Sequence, residues 1–133
     1  MTDDYFANHG HPREAERHIS IDFDGVLFPR VGIYAYPEPL SGAVEATQRL
    51  KRAGYHITVW TSRLWPAWLD SAKYPESEMR DYIETLLRQH EIPYDALIGK
   101  PPGEAYIDDI AIRFVEGEWD AIADWILFAR GVE

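Results

Sequence analysis

His18-Ile19-Ser20-Ile21-Asp22-Phe23-Asp24-Gly25-Val26 is the stretch on which the fold turns. Ile19, Ile21 and Phe23 alternate with Ser20, Asp22 and Asp24, the period-two pattern of a β-strand. Gly25 then stops it. Residues i and i+2 of a strand share a face, so Asp22 and Asp24 point the same way if the extended geometry holds to the end. Two carboxylates that close repel each other unless a cation lies between them or one keeps a proton. The pair fits a site that needs a metal and a proton donor. The plainer alternative is a polar strand end running into an Asp-Gly turn.

A chain of 133 residues suits one domain with its own core, here expected over 18–133, behind a polar N-terminal arm at 1–17. Hydrophobic residues make up 46% and charged residues 27%, a globular balance. No apolar run reaches membrane-spanning length, and Met1-Thr2-Asp3-Asp4-Tyr5 lacks the order of a signal peptide. The sequence has no cysteine, which excludes disulfides, thiol catalysis and thiolate metal sites and fits a cytoplasmic protein. A formal charge of −10 argues against a nucleic-acid backbone or an anionic membrane as partner. A small anionic substrate would need a local cation or a few basic residues. His9 and His11 read as part of an exposed tail rather than a metal site, and His18, His56 and His90 are assigned no chemistry.

Outward from the first strand, Leu27 to Leu40 holds Pro29, Gly32, Pro37 and Pro39 and reads as a loop, with room for a short hairpin over Val31 to Tyr36. Ser41 is a suitable N-cap for a helix through Ala43, Val44, Thr47, Leu50 and Ala53, stopped by Gly54. Tyr55 to Thr61 is β-branched and aromatic, a second strand with Trp60 read as core, and it ends on Thr61-Ser62-Arg63. The aromatic stretch 64–76 precedes an amphipathic helix carrying Met79, Tyr82, Ile83, Leu86 and Leu87. Tyr94 to Ile98 gives a third strand, followed by Lys100 in a loop. The short run Ala105-Tyr106-Ile107, ending in Asp108-Asp109, is expected to be a fourth. Trp119, Ile122, Ala123, Ile126 and Leu127 form the last helix.

Strands joined by helical crossovers imply an α/β fold of Rossmann-like, three-layer kind, with a mainly parallel central sheet covered on both faces. Ligands of such sheets bind outside the carboxyl ends of the strands. Asp22 and Asp24, Thr61 to Arg63, Lys100, and Asp108 and Asp109 all fall at those ends.

That set suits phosphoryl transfer, which needs an in-line nucleophile, a cation on the non-bridging oxygens and donors for the rest. Asp22 is the candidate nucleophile, giving an aspartyl-phosphate, and Asp24 the general acid and base. Mg²⁺ is the expected cofactor, with Asp22, Asp24, Asp108 and Asp109 as candidate ligands. Thr61 and Ser62 offer hydroxyls to the phosphoryl oxygens, Lys100 balances the acid charge, and Arg63 is a candidate substrate contact. Trp65 and Trp68 are read chiefly as packing residues.

Ile21-Asp22-Phe23-Asp24-Gly25-Val26, Val59-Trp60-Thr61-Ser62-Arg63, Lys100-Pro101 and Tyr106-Ile107-Asp108-Asp109 resemble, in this order, the four motifs of the haloacid dehalogenase (HAD) superfamily. The resemblance spans about residues 18–115. It implies the same roles: Asp22 as nucleophile, Asp24 as acid/base, Thr61 and Lys100 on the phosphate, Asp108 and Asp109 on the metal side. The dehalogenase branch lacks the second aspartate of the first motif, so Asp24 points to the phosphatase branch. Neither gap between motifs has room for a separate cap domain. The resemblance therefore implies a small capless phosphatase. A small phosphorylated substrate is the expected partner, but the lack of a cap does not select among nucleotide, sugar, polyol and protein phosphates, and homo-oligomerisation is left open. A phosphotransferase with an acceptor other than water, and a silent phosphate- or metal-binding module, are the alternatives.

Overall fold

The computed structural model describes residues 17–69 and 74–129. Its elements run β1 (His18–Asp22), α1 (Ala43–Arg52), β2 (His56–Thr61), a 3-10 turn (Ser62–Leu64), α2 (Glu76–Gln89), β3 (Ala96–Gly99) and α3 (Trp119–Ala129). The strands form one sheet in the order β1-β2-β3, with both pairings parallel. Parallel neighbours require a crossover, and α1 and α2 supply the two. This is the α/β architecture with a parallel sheet that the alternation of strand and helix patterns implies.

Register follows from the hydrophobic alternation. Ile21, Val59 and Leu97 are partners across the three strands, and Ile19 pairs with Ile57. Ile21, Ile57, Val59 and Leu97 are buried, and they join one core with Leu50 of α1, Met79, Ile83, Leu86 and Leu87 of α2, and Ala123 and Leu127 of α3. A slip of one residue would turn all of them to the other face. That other face carries Asp22, Trp60 and Ile98 in one row and stays half-exposed along its length, so the cover expected on both faces is, among the described residues, complete on one.

α1 packs against α3, with an Arg49–Asp124 ion pair at 2.6 Å across them. The last turn of α1 hands the chain to β2 through Gly54, whose φ of +93° suits glycine. Lys51 reaches both oxygens of Asp95 at 2.6 Å, and Asp95 Oδ2 also accepts from the Ile57 amide at 2.8 Å. Helix α1, β2 and the approach to β3 are thereby tied together. Trp119, at the start of α3, donates from Nε1 to the Val26 carbonyl at 2.9 Å and so anchors the turn after β1.

Three expectations are corrected. The first helix starts from Gly42 at φ 84°, with no side-chain cap, rather than from Ser41. No hairpin forms over 31–36; those residues make a turn and extended chain. The run Ala105–Ile107 forms no strand, and 101–112 is exposed throughout. Three residues offer few ladder bonds, and no strand among the described residues pairs with them. Of the expected arm, Arg17 alone lies within the described residues; its guanidinium donates to the Ala53 carbonyl at 2.9 Å. His9 and His11 lie outside them. Among the described residues, no helix is long and apolar enough to cross a membrane.

Candidate functional site

The carboxyl ends of the three strands converge. β1 ends on Asp22, β2 on Thr61, and Lys100 directly follows β3. The Lys100 amide donates to the Thr61 carbonyl at 3.0 Å, continuing the ladder one step past the strands. Gly99 passes beneath the 3-10 turn so closely that a Cβ there would lie 2.7 Å from the Leu64 carbonyl oxygen.

Asp22 is partly buried, and one oxygen accepts from the Phe23 amide at 3.0 Å. Its other oxygen lies 3.6 Å from Lys100 Nζ. Burial pushes its carboxyl above the ordinary aspartate range; Lys100 and the Phe23 amide work against that rise, and the charge of Asp24 adds to it. Lys100 is held in turn by two rings, its Nζ standing 4.8 Å from the centroid of Trp60 and 4.2 Å from that of Tyr106. Two aromatic faces around an ammonium fix its position by cation–π attraction. Trp60 is thus the platform for Lys100 on the open face of the sheet, not a core residue.

Asp24 lies past the strand. Phe23 turns into the core at 1% exposure, Gly25 takes φ +79°, and its amide returns to the Phe28 carbonyl at 2.7 Å. Asp24 forms an isolated bridge with Phe28. The side chain meets Arg63 in a two-pronged pair: Nε to Oδ2 and Nη2 to Oδ1, both at 2.8 Å. Arg63 is only 6% exposed. Its Nη1 donates to the Ile33 carbonyl, and its guanidinium carbon stands 5.6 Å from the Phe23 ring centroid and 5.7 Å from that of Tyr82. Burial alone would lower the Arg63 pKa; the bonds and charge of Asp24 outweigh it and raise it. Tyr82 donates from its hydroxyl to the Ala35 carbonyl, so Arg63 and Tyr82 together pin the loop over 31–36.

Thr61 is fully buried, and its Oγ1 accepts from the Arg63 amide at 3.1 Å, capping the 3-10 turn. Ser62 opens that turn and is half-buried. The structure thus brings Asp22, Asp24, Thr61, Ser62, Arg63 and Lys100 to one edge of the sheet. Asp108 and Asp109 are exposed in the segment that forms no strand; Asp108 Oδ1 accepts from the Ile110 amide at 2.9 Å.

Among the described residues, no three histidine, aspartate or glutamate side chains are grouped to hold a metal ion. The expected set of Asp22, Asp24, Asp108 and Asp109 is not assembled. Arg63 occupies both oxygens of Asp24, and Asp108–Asp109 lacks the strand that would bring it alongside β1. The donors are hard oxygens of the kind Mg²⁺ takes, but this arrangement does not fit a cation.

The pattern missed three residues. Tyr82, read only as part of a buried helix face, walls Arg63. Tyr106 and Trp60 cradle Lys100. Aromatic residues at helix or strand spacing signal core equally well, so spacing carried no sign of these roles.

No family model matches the chain, and no curated protein matches it. Solved structures of similar fold include a structural-genomics target from Vibrio cholerae, at TM-score 0.58 and 21% identity over 81% of this chain and 97% of that one. They also include a D,D-heptose 1,7-bisphosphate phosphatase from B. bronchiseptica, complexed with magnesium and phosphate. Its TM-score is 0.45, at 22% identity over 86% of this chain and 64% of that one. The likeness to the first shows the α/β fold.

Proposed function

We propose that this protein is a phosphomonoester hydrolase of the HAD phosphatase type, working through a phosphoryl group carried on Asp22. The observation that carries the reading is the meeting of Asp22 and Lys100, 3.6 Å apart, where three parallel strands end, with Thr61 and Asp24 alongside. The order of the motifs supports it, as does the rule that parallel sheets bind ligands at this edge.

In the first step an oxygen of Asp22 attacks phosphorus and the bond to the ester oxygen breaks. Asp24 gives its proton to that leaving oxygen. Asp24 then takes a proton from water, whose oxygen attacks the phosphorus and releases phosphate, returning Asp22 as carboxylate. Lys100, fixed between Trp60 and Tyr106, offsets the negative charge that Asp22 and the phosphoryl oxygens bring together. The Thr61 hydroxyl, already accepting one bond, has its proton to donate. Mg²⁺ enters the reading only through the resemblance of the motifs: Asp22, Asp24, Asp108 and Asp109 do not stand together as a cation site among the described residues, and no step is assigned to it.

The test is hydrolysis of a generic aryl phosphate, with Mg²⁺ and with chelator, by wild type and Asp22→Asn. Turnover that falls to background in the variant is expected, and the chelator arm tests the Mg²⁺ that the resemblance implies. Activity that survived Asp22→Asn would overturn the mechanism. Phosphate binding without turnover would favour the silent binding module.

A further inference from the structure

Arg63 follows the second strand, where a guanidinium invites assignment to the substrate phosphate. The geometry points to a different role: we propose that Arg63 is a positioning residue that holds Asp24 for proton transfer to the leaving oxygen and does not itself bind the phosphoryl group. The inference rests on the phosphatase reading above.

Four observations carry it. Both Asp24 oxygens are engaged at 2.8 Å by Nε and Nη2, the planar fork that only arginine presents. The remaining nitrogen, Nη1, donates to the Ile33 carbonyl. The plane is walled by the rings of Phe23 and Tyr82. The residue is 6% exposed, and the turn that bears it is capped by Thr61. Each of the three nitrogens already donates to a fixed partner, and the two N–H groups left over, one on Nη1 and one on Nη2, belong to a side chain that is 6% exposed and walled by two rings.

The clamp leaves Asp24 able to act. Each carboxyl oxygen has two lone-pair sites, so one bond from Arg63 to each leaves room for a proton on either. What the clamp removes is rotation. Asp24 stands beyond the strand end, where its bridge to Phe28 holds the main chain and leaves rotation of the carboxyl to be fixed by Arg63. Proton transfer demands hydrogen-bond reach to the ester oxygen, and a carboxyl free to rotate loses most of that alignment.

A general acid matters in proportion to how poor the leaving group is, and this separates positioning from phosphate binding. Arg63→Met, which keeps bulk between Phe23 and Tyr82, and Arg63→Lys would be compared with wild type on an alkyl phosphate and on nitrophenyl phosphate. Phosphate affinity would be read from inhibition by inorganic phosphate, and folding from thermal melts. The loss of kcat on the alkyl ester is expected to exceed that on the nitrophenyl ester by about 10²-fold, the lower range of a general acid's contribution. Inhibition by phosphate should shift less than about threefold, far below the tenfold that loss of one ordinary charged contact brings. Asp24→Asn should show the same leaving-group dependence. The Asp24→Asn, Arg63→Met double variant should be no slower than the worse single one, as for residues that act as a unit.

Equal losses on both esters with weakened phosphate inhibition would overturn the proposal and place Arg63 on the substrate. Additive losses in the double variant would overturn it too. Wild-type turnover that does not depend on Asp22 would remove the phosphatase reading, and the proposal with it. A folded Arg63 variant with equal losses removes the proposal alone.

Discussion

Gly99 shows how narrow the tolerance of the site is at the scale of one residue. A methyl group there would stand 2.7 Å from the Leu64 carbonyl oxygen, and a main-chain atom cannot step aside as a side chain can. Gly99→Ala is expected to cost about 1–3 kcal/mol, the usual range for forced overpacking, measured by urea denaturation. A midpoint equal to wild type would mean that the turn yields freely. Single residues were also where the sequence was least readable. Asp22, Asp24, Thr61 and Lys100 announced themselves by falling at strand ends. That Asp24 pairs with Arg63 across 39 positions of chain could not be read from either neighbourhood. It depends on where Phe23 turns inward, which is decided by packing.

At the scale of elements, Asp95 joins three of them, accepting from Lys51 of α1 and from the Ile57 amide of β2 just before β3 begins. The bonds from Lys51 and then Ile57 hold its carboxyl below the ordinary aspartate range. A group depressed on folding adds stability above its unfolded pKa, about 3.9 for aspartate, and loses it as pH falls through the lower folded value. Asp95→Asn should therefore lower the melting temperature at pH 7, and the gap from wild type should close as the pH falls below about 4. A gap that does not change with pH would assign the effect to packing. The helices and first three strands were legible because each repeats its period over several residues. The expected fourth strand rested on three apolar residues, and its support would have had to come from a neighbour, which a local pattern does not contain.

Across the described residues, burial is unevenly spread. The core face of the sheet meets all three helices, whereas 101–112 is exposed throughout and Ile107 fully so. Hydrogen exchange should divide the protein accordingly: amides of β2, paired on both sides, should open only with global unfolding, and those of 103–112 should exchange close to the rate of an open chain. Protection of 103–112 to the level of β2 would show that the segment joins the sheet in solution. The passage of Gly99 under Leu64, with the Lys100 amide on the Thr61 carbonyl, has a mechanical side. The lysine beside Asp22 and the arginine on Asp24 ride on two stretches of backbone that are wedged together at that crossing. A shift of either stretch at that crossing would therefore bear on the counter-charges of both carboxylates.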